Sequence, residues 1–106
     1  MRGEVWGCAL PQPLGPHPVV VLTVSRVAEP LASVTVALIT GTTGPRATHI
    51  PVGSDSGLTK YAESYVNCAD LRTVAKSRLR KRLGLLPPAE LRNVENAIRI
   101  ILGLQR

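Results

Sequence analysis

Aromatic residues are scarce in this chain: they make up 3% of its 106 residues, with one Trp, two Tyr and no Phe. So few rings argue against the binding modules that stack many bases on aromatic side chains. Hydrophobic residues nevertheless reach 44%, which is enough for a small core and argues against wholesale disorder. Val, Leu, Ile and Ala must therefore fill that core, and the length predicts a single domain over residues 1–106.

Cysteine and histidine are also rare, at two residues each. Cys8 and Cys68 lie in strand-like segments, and we expect reduced thiols that act as small buried hydrophobic groups. A Cys8–Cys68 disulfide is the less favoured alternative. The histidines, His17 and His49, are well separated, so the four residues do not form a zinc-binding pattern. The sequence therefore predicts neither a metal nor a cofactor.

Long apolar runs and acidic residues are in short supply as well. The longest apolar run, Val19 to Val24, is interrupted by Thr23 and is far too short to span a bilayer. The start MRGEVW has no apolar core segment, so we expect no cleavable signal, no membrane partner and a cytoplasmic location. Lys and Arg total 13 against 7 Asp and Glu, a net charge of +6, which favours nucleic acid or another polyanion as partner.

What the chain does contain is a series of short strand-like segments rich in β-branched residues. Six strands are predicted: Glu4–Leu10, Val19–Val24, Val34–Thr40, Thr48–Val52, Tyr65–Val74 and Leu83–Leu86. The run from Val19 to Val24 is nearly continuous, which indicates a central strand buried on both faces. The segments Pro11–Pro18, with four prolines and a glycine, and Ser25–Ala32 and Gly53–Leu58 are predicted as loops.

The segment Pro87 to Leu102 predicts a helix, with a proline in its first turn and Gly103 at the expected C-terminal cap. Apolar residues recur at helical spacing and should face the core: Leu91, Val94, Ile98 and Ile101. Polar residues should face away: Glu90, Arg92, Asn93, Glu95, Asn96 and Arg99. Glu95 and Arg99 stand four apart in the order that favours an ion pair. Short strands followed by one helix predict a small, strongly curved barrel with the helix over one open face.

Two polar segments are candidate binding surfaces. In the hairpin Ser33–Gly53, four threonines and Arg46 gather at the turn, an arrangement suited to an anion; an ordinary hairpin with a polar tip explains the same residues. Between Arg72 and Arg82 lie six of the thirteen cations. The run Lys76–Arg82 is predicted as a helical turn that is either solvated or in contact with substrate. The chain shows no phosphate-binding glycine loop, Ser/His/Asp pattern or paired carboxylates of a conventional hydrolase.

The order of several short motifs resembles the MazF/PemK family of toxin endoribonucleases. These motifs are GEVW at 3–6, a loop ending in Pro before VVVL, ALIT at 37–40, ATHIPV at 47–52, LRTVAKSRL at 71–79 and a final helix ending in LGL. The resemblance covers Arg2 to Leu104. It implies a small SH3-like barrel of the CcdB/PemK type with a C-terminal α-helix, acting as a homodimer. It also implies that the chain is the toxin of a type II toxin–antitoxin system. Such a toxin cuts single-stranded RNA at a short sequence motif, and a cognate antitoxin peptide neutralises it.

The resemblance also implies which residues act. Family members cut RNA without a metal: the ribose 2′-hydroxyl attacks the adjacent phosphate, which needs a base, an acid and donors for the developing charge. Thr40 falls on the family's catalytically important threonine, and His17 falls where most relatives have arginine. We therefore expect Thr40 and His17 to be catalytic. The residues expected to bind RNA are Thr42, Thr43, Arg46, Asn67 and Asp70.

The strand Tyr65–Val74 departs from the family pattern. Relatives place an arginine and an acidic residue at the positions that are Asn67 and Ala69 here, while Asp70 and Arg72 stay close by. Arg72 matches the structural-looking RT pair of the family rather than its catalytic arginine. Two alternatives to an active endoribonuclease therefore stay open: a CcdB-like toxin that poisons gyrase, and a catalytically inactive barrel that binds RNA or antitoxin.

Overall fold

The computed structural model describes residues 1–53 and 63–104 as one antiparallel sheet of six strands with two helices. The strands are β1 (Glu4–Ala9), β2 (Pro16–Val21), β3 (Ser33–Thr40), β4 (His49–Val52), β5 (Ser64–Ala75) and β6 (Leu79–Leu85). The helices are α1 (Ser25–Ala28) and α2 (Pro88–Leu102). The strand order β4-β5-β3-β2-β1-β6 confirms the predicted mainly β fold with a C-terminal helix. Most of the predicted loop Gly53–Leu58 lies outside the described residues.

Strand β2 lies inside the sheet and is buried on both faces, as predicted. Val19, Val20 and Val21 are fully buried; Val20 joins the core cluster that packs under α2, whereas Val19 and Val21 join a second cluster on the opposite face. The predicted bounds were wrong, because β2 begins at Pro16 and ends at Val21. Pro16 and Pro18 are tolerated because the pairing with β3 starts only at Val19, so their missing N–H groups interrupt no ladder on that side.

Strand β5 carries the largest irregularity of the sheet. Leu38 of β3 lies opposite Asn67, but its neighbour Ala37 lies opposite Leu71. Residues 68–70 are therefore extra residues that form a bulge in β5. Val66 and Cys68 are buried, Asp70 is only partly buried, and Leu71 takes the next place in the core. A bulge of this kind bends a strand and redirects its side chains.

The charge run forms a strand rather than a helical turn. Only Lys76–Arg78 form a short 3-10 turn, and β6 begins at Leu79 instead of Leu83. Arg80, Lys81 and Arg82 are exposed on this strand, which pairs with β1 alone and stands at one end of the sheet. This segment forms a strand because β1 supplies the backbone hydrogen-bonding partner. A partner so distant in sequence leaves no signal in the local residue pattern.

Helix α2 confirms the predicted apolar stripe but not the predicted ion pair. Val94 is fully buried and Leu91, Ile98 and Ile101 pack around it, while Gly103 ends the helix at a φ of 69°. Glu95 pairs instead with Arg2, with Nε and Oε2 3.2 Å apart, because the fold brings the start of the chain across the helix. Glu90 also turns inward, since its Oε2 accepts a hydrogen bond from the Gly53 amide at 3.0 Å.

The two cysteines are buried, free thiols in separate core clusters on opposite faces of the sheet, as the sequence predicts. Burial raises the pKa of Cys68 from 9.0 to about 11. Within residues 1–53 and 63–104, no helix is both long and apolar enough to cross a membrane.

The raised pKa of Cys68 predicts a loss of stability in alkali. The thiol stays protonated in the folded chain while it ionises in the unfolded chain, so the free energy of unfolding should fall as pH rises from 9.0 to about 11. Urea unfolding of the wild type and of Cys68→Ala across this range measures the contribution, because other groups titrate equally in both proteins. Parallel pH curves for the two proteins would contradict the prediction.

Candidate functional site

The side chain of His17 extends from β2 to the end of the neighbouring strand β3. Its Nε2 lies 2.6 Å from the carbonyl oxygen of Ile39. Because a carbonyl can only accept, Nε2 must carry a proton and donate it. Ile39 is the residue immediately before Thr40, so this bond places the half-buried imidazole beside the predicted catalytic threonine. The structure therefore brings His17 and Thr40 together.

Thr40 is the last residue of β3, at the point where the strand gives way to the exposed turn. Its Oγ1 accepts a hydrogen bond from the backbone amide of Thr42 at 3.1 Å. The amide uses a lone pair of the hydroxyl and leaves its proton available to donate. This arrangement orients the Thr40 hydroxyl as a donor at the end of the strand, whereas the side chain of Thr42 extends from the exposed turn.

The two predicted residues on β5 have different surroundings. Asn67 pairs in register with Leu38 of β3 and with His49 of β4, and its Oδ1 accepts from the Ala69 amide at 3.1 Å. Asp70 lies in the bulge and forms an ion pair with Arg72, with Oδ1 and Nε 3.1 Å apart. Its carboxylate is thus held by a neighbouring cation on the same strand. Asn67 lies opposite Leu38, two residues before Thr40 along β3, whereas Asp70 lies in the bulge between Asn67 and Leu71.

The turn between β3 and β4 is built around the Pro45 carbonyl. That oxygen accepts from the backbone amides of Thr48 and His49 at 3.1 and 2.9 Å and from the Thr48 hydroxyl at 3.2 Å. Arg46 projects from this turn as an exposed side chain, and Thr43 and Arg46 both line a cavity against α2. The structure therefore keeps the cation of the hairpin at the surface, beside a concave site.

Further positive charge lies on the other side of His17. Cys8 of β1 pairs with His17 on one side and with Leu79 of β6 on the other, which places the start of β6 two strand spacings, about 10 Å, from His17. Burial raises the pKa of the Cys8 thiol, and the charges of Arg78 and Arg80 oppose that rise. The two arginines are thus close enough to act electrostatically on the strand beside His17, a relation that the sequence reading did not predict.

A comparison with known protein families shows to which family this chain belongs. The family of PemK-like, MazF-like toxins of type II toxin–antitoxin systems matches residues 1–102. The chain belongs to this toxin family. The resemblance read from the motifs is therefore confirmed, and it extends over nearly the whole chain.

Solved structures agree with this assignment. An endoribonuclease in complex with its cognate antitoxin from a mycobacterial species is 26% identical, with a TM-score of 0.87 over 100% of this chain and 97% of that chain. The Mycobacterium tuberculosis toxin MazF-mt6 is 29% identical, with a TM-score of 0.85 over 97% of this chain and 99% of that one. A MazE–MazF complex from Deinococcus radiodurans, 15% identical with a TM-score of 0.80 over 98% and 96% of the two chains, shares the fold.

Proposed function

We propose that this member of the toxin family is an endoribonuclease that cuts single-stranded RNA at a short sequence motif without a metal ion. The observation that carries the proposal is the hydrogen bond from the His17 imidazole to the Ile39 carbonyl, which sets an ionisable ring beside the Thr40 hydroxyl. Arg78 and Arg80 act electrostatically on Cys8, the strand partner of His17, and Arg46 is exposed on the turn that follows Thr40. The endoribonuclease descriptions of the matched mycobacterial structures support the same activity.

In the proposed reaction the ribose 2′-hydroxyl gives up its proton to solvent water, its oxygen forms a bond to the adjacent phosphorus, and the bond from phosphorus to the 5′-oxygen breaks. The products are a 2′,3′-cyclic phosphate and a free 5′-hydroxyl. Thr40 donates its hydroxyl proton as a hydrogen bond to a phosphate oxygen, where negative charge develops. The protonated His17 ring stabilises the same charge and protonates the departing 5′-oxygen. Asp70 is held in its ion pair with Arg72 and is given no role in the reaction.

The test is cleavage of a defined, end-labelled RNA by the purified chain in excess EDTA, with the fragment ends mapped. Discrete fragments ending in cyclic phosphate support the proposal, and their absence in the Thr40→Val protein excludes a contaminating nuclease. RNA binding without fragments would instead indicate an inactive barrel. Inhibition of DNA supercoiling without loss of RNA would indicate a gyrase poison.

We also propose a cytoplasmic toxin that works as a homodimer and is neutralised by a cognate antitoxin peptide. Antitoxin is the partner in the matched mycobacterial complex and in the MazE–MazF complex. For this chain, Val27, Leu31 and Leu85 stay 44%, 50% and 50% exposed, and a domain this small gains by covering such residues. Light scattering at micromolar concentration should give twice the 11.3 kDa mass of one chain; a mass of one chain would contradict the dimer.

Arg46 should contact the RNA backbone, because it is the exposed cation at the tip of the hairpin and lines the cavity mouth. Arg46→Ala is expected to weaken RNA binding and to lower the slope of log affinity against log salt by about one charge. Arg92→Ala, which removes an exposed cation of α2 outside the cavity, is the matched control. An unchanged slope for Arg46→Ala would show that the hairpin does not touch phosphate.

A further inference from the structure

The cations between Arg72 and Arg82 differ in whether the fold gives them a partner. Three have one: Arg72 pairs with Asp70, Arg82 lies 4.0 Å from Glu4, and Lys76 donates to the Glu29 carbonyl. In residues 1–53 and 63–104, Arg78, Arg80 and Lys81 take part in no ion pair. Arg78 and Arg80 are also exposed, so their charges are available to an anionic ligand.

Strand register aligns the start of β6 with the candidate cleavage site. The pairing of β2 with β3, continued two residues beyond Val19, sets His17 opposite Thr40. On its other side His17 lies opposite Cys8, and Cys8 lies opposite Leu79 of β6. Four neighbouring strands therefore contribute one residue each to a row across the sheet. At about 4.8 Å between strands, the row is about 14 Å long.

The side chains of this row share one face of the sheet. Cys8 and Leu79 belong to the core cluster on the face away from α2. Val19 belongs to that cluster as well, so His17, two residues away on the same strand, points to the same face. Thr40, opposite His17, does likewise. A strand of RNA bound at His17 and Thr40 can therefore continue over β1 to β6 on this face.

A bulge places Arg80 beside this row. Gly7 lies opposite Lys81 and the next residue, Cys8, lies opposite Leu79, so Arg80 is an extra residue in β6. Bulges redirect side chains and are frequent next to active sites. The irregularity thus changes the direction of one unpaired cation close to the row.

Arg78 and Arg80 also act on Cys8 through their charge. Burial raises the pKa of the Cys8 thiol, and the charges of Arg78 and Arg80 oppose that rise, so both guanidinium groups lie near the row. Cations on an edge strand also deter pairing with a second copy. Because the exposed Lys81 and Arg82 suffice for that purpose, it does not account for Arg78 and Arg80.

The proposed reaction gives the row a direction. His17 protonates the departing 5′-oxygen, which belongs to the nucleotide on the 3′ side of the cut. RNA that continues past His17 toward β1 and β6 therefore runs in the 3′ direction. About 10 Å separate His17 from the start of β6, a distance of about three nucleotides at the rise of about 3.4 Å in a stacked strand.

We propose that Arg78 and Arg80 bind backbone phosphates of the RNA segment on the 3′ side of the cut, about three nucleotides from it. The direction of the segment rests on the proposed function, whereas the affinity for a phosphate backbone rests on the two cations and their position. Guanidinium groups bind phosphate through paired hydrogen bonds, and such contacts read no base. The two arginines position the RNA and take no part in making or breaking bonds.

The salt dependence of RNA binding tests the contact without cleavage. The probe is single-stranded RNA methylated at every 2′-oxygen, which lacks the attacking hydroxyl. Replacing both residues, Arg78→Gln with Arg80→Gln, should lower the slope of log affinity against log salt by about 1.4, or about 0.7 for each charge. Arg92→Gln removes an exposed cation of α2 and should leave the slope unchanged. Equal slopes for the wild type and the double variant would overturn the contact, as would an equal loss in Arg92→Gln.

The length of the flanking RNA tests the direction. One RNA ends one nucleotide past the mapped cut, a second continues for about five nucleotides on the 3′ side, and a third is extended on the 5′ side alone. For the wild type, the 3′ extension should tighten binding and lower KM with little change in kcat. The double variant should lose this gain and keep any gain from the 5′ extension. A double variant that keeps the 3′ gain, or loses the 5′ gain instead, refutes the proposal.

The two proposals fail in different ways. A chain that binds RNA but cuts none refutes the proposed activity, and the salt slope then decides the phosphate contact by itself. A chain that cuts RNA with the same slope and the same KM before and after the double substitution refutes the contact alone. Far-UV circular dichroism and melting of the double variant should match the wild type, because both side chains are exposed.

Discussion

Thr40→Val is expected to lower the rate of RNA cleavage by about 10²- to 10³-fold, the cost of removing one donor to a developing oxyanion. Valine has nearly the shape of threonine, so the half-buried position at the end of β3 stays filled. The substitution also removes the acceptor for the Thr42 amide, an effect confined to the exposed turn. Single-turnover cleavage of a mapped substrate measures the loss.

Thr40→Ser is the matched control, because it keeps the hydroxyl and loses only a methyl group. We expect Thr40→Ser to retain most of the cleavage rate and both variants to bind RNA and melt close to the wild type. Full activity in Thr40→Val would remove Thr40 from the mechanism. Equal losses in the serine and valine variants would show that packing, rather than hydrogen bonding, is what the position supplies.

His17→Ala is expected to lower cleavage by about 10²-fold, the lower range for a general acid or base. The proposed acid is the protonated imidazole, so the cleavage rate of the wild-type protein should fall as pH rises, and this dependence should be absent from His17→Ala. His17→Arg restores the residue that most relatives carry at this position. Because a guanidinium does not titrate in this range, activity retained in His17→Arg with a flat pH profile would show that charge stabilisation, rather than proton transfer, is the role of this position.

His17→Gln separates position from charge. Its amide can donate to the Ile39 carbonyl as the imidazole does, but it cannot become a cation or transfer a proton. We expect His17→Gln to keep the fold and to be as slow as His17→Ala. An alanine variant as active as the wild type would make His17 a structural residue of the β2–β3 contact.

The contrast between α2 and β6 shows how far local patterns reach. The apolar spacing from Leu91 to Ile101 and the glycine at 103 suffice to define a helix, because its hydrogen bonds lie within the segment. The cations at 76–82 have no such internal pattern, and the segment became a strand through pairing with β1. The pairing of Glu95 with Arg2 in place of Arg99 has the same origin, since Arg2 is distant in sequence and close in the fold.

The candidate site divides in a similar way. Thr40 and His17 were predicted from the family resemblance and Arg46 from the composition of the hairpin turn, and their roles stay predictions. Asp70 was predicted to bind RNA, and this role stays a prediction. In the structure Asp70 forms an ion pair with Arg72 and lies in a bulge that the residue pattern of the strand does not predict. No sequence pattern connected His49 with Asn93 and Asn96, because β4 and α2 come into contact only in the folded chain.

The sequence by itself therefore determined the composition of the core, the strand-rich fold with its closing helix and the toxin family, because these depend on periodicity and on the order of motifs. Only the tertiary structure decided that the imidazole of His17 donates to the carbonyl before Thr40 and that Arg78 and Arg80 act beside Cys8. It also decided that a cavity forms against α2. These relations join residues distant in the chain, and strand register sets them: a shift of one residue would turn His17 and Thr40 to the other face.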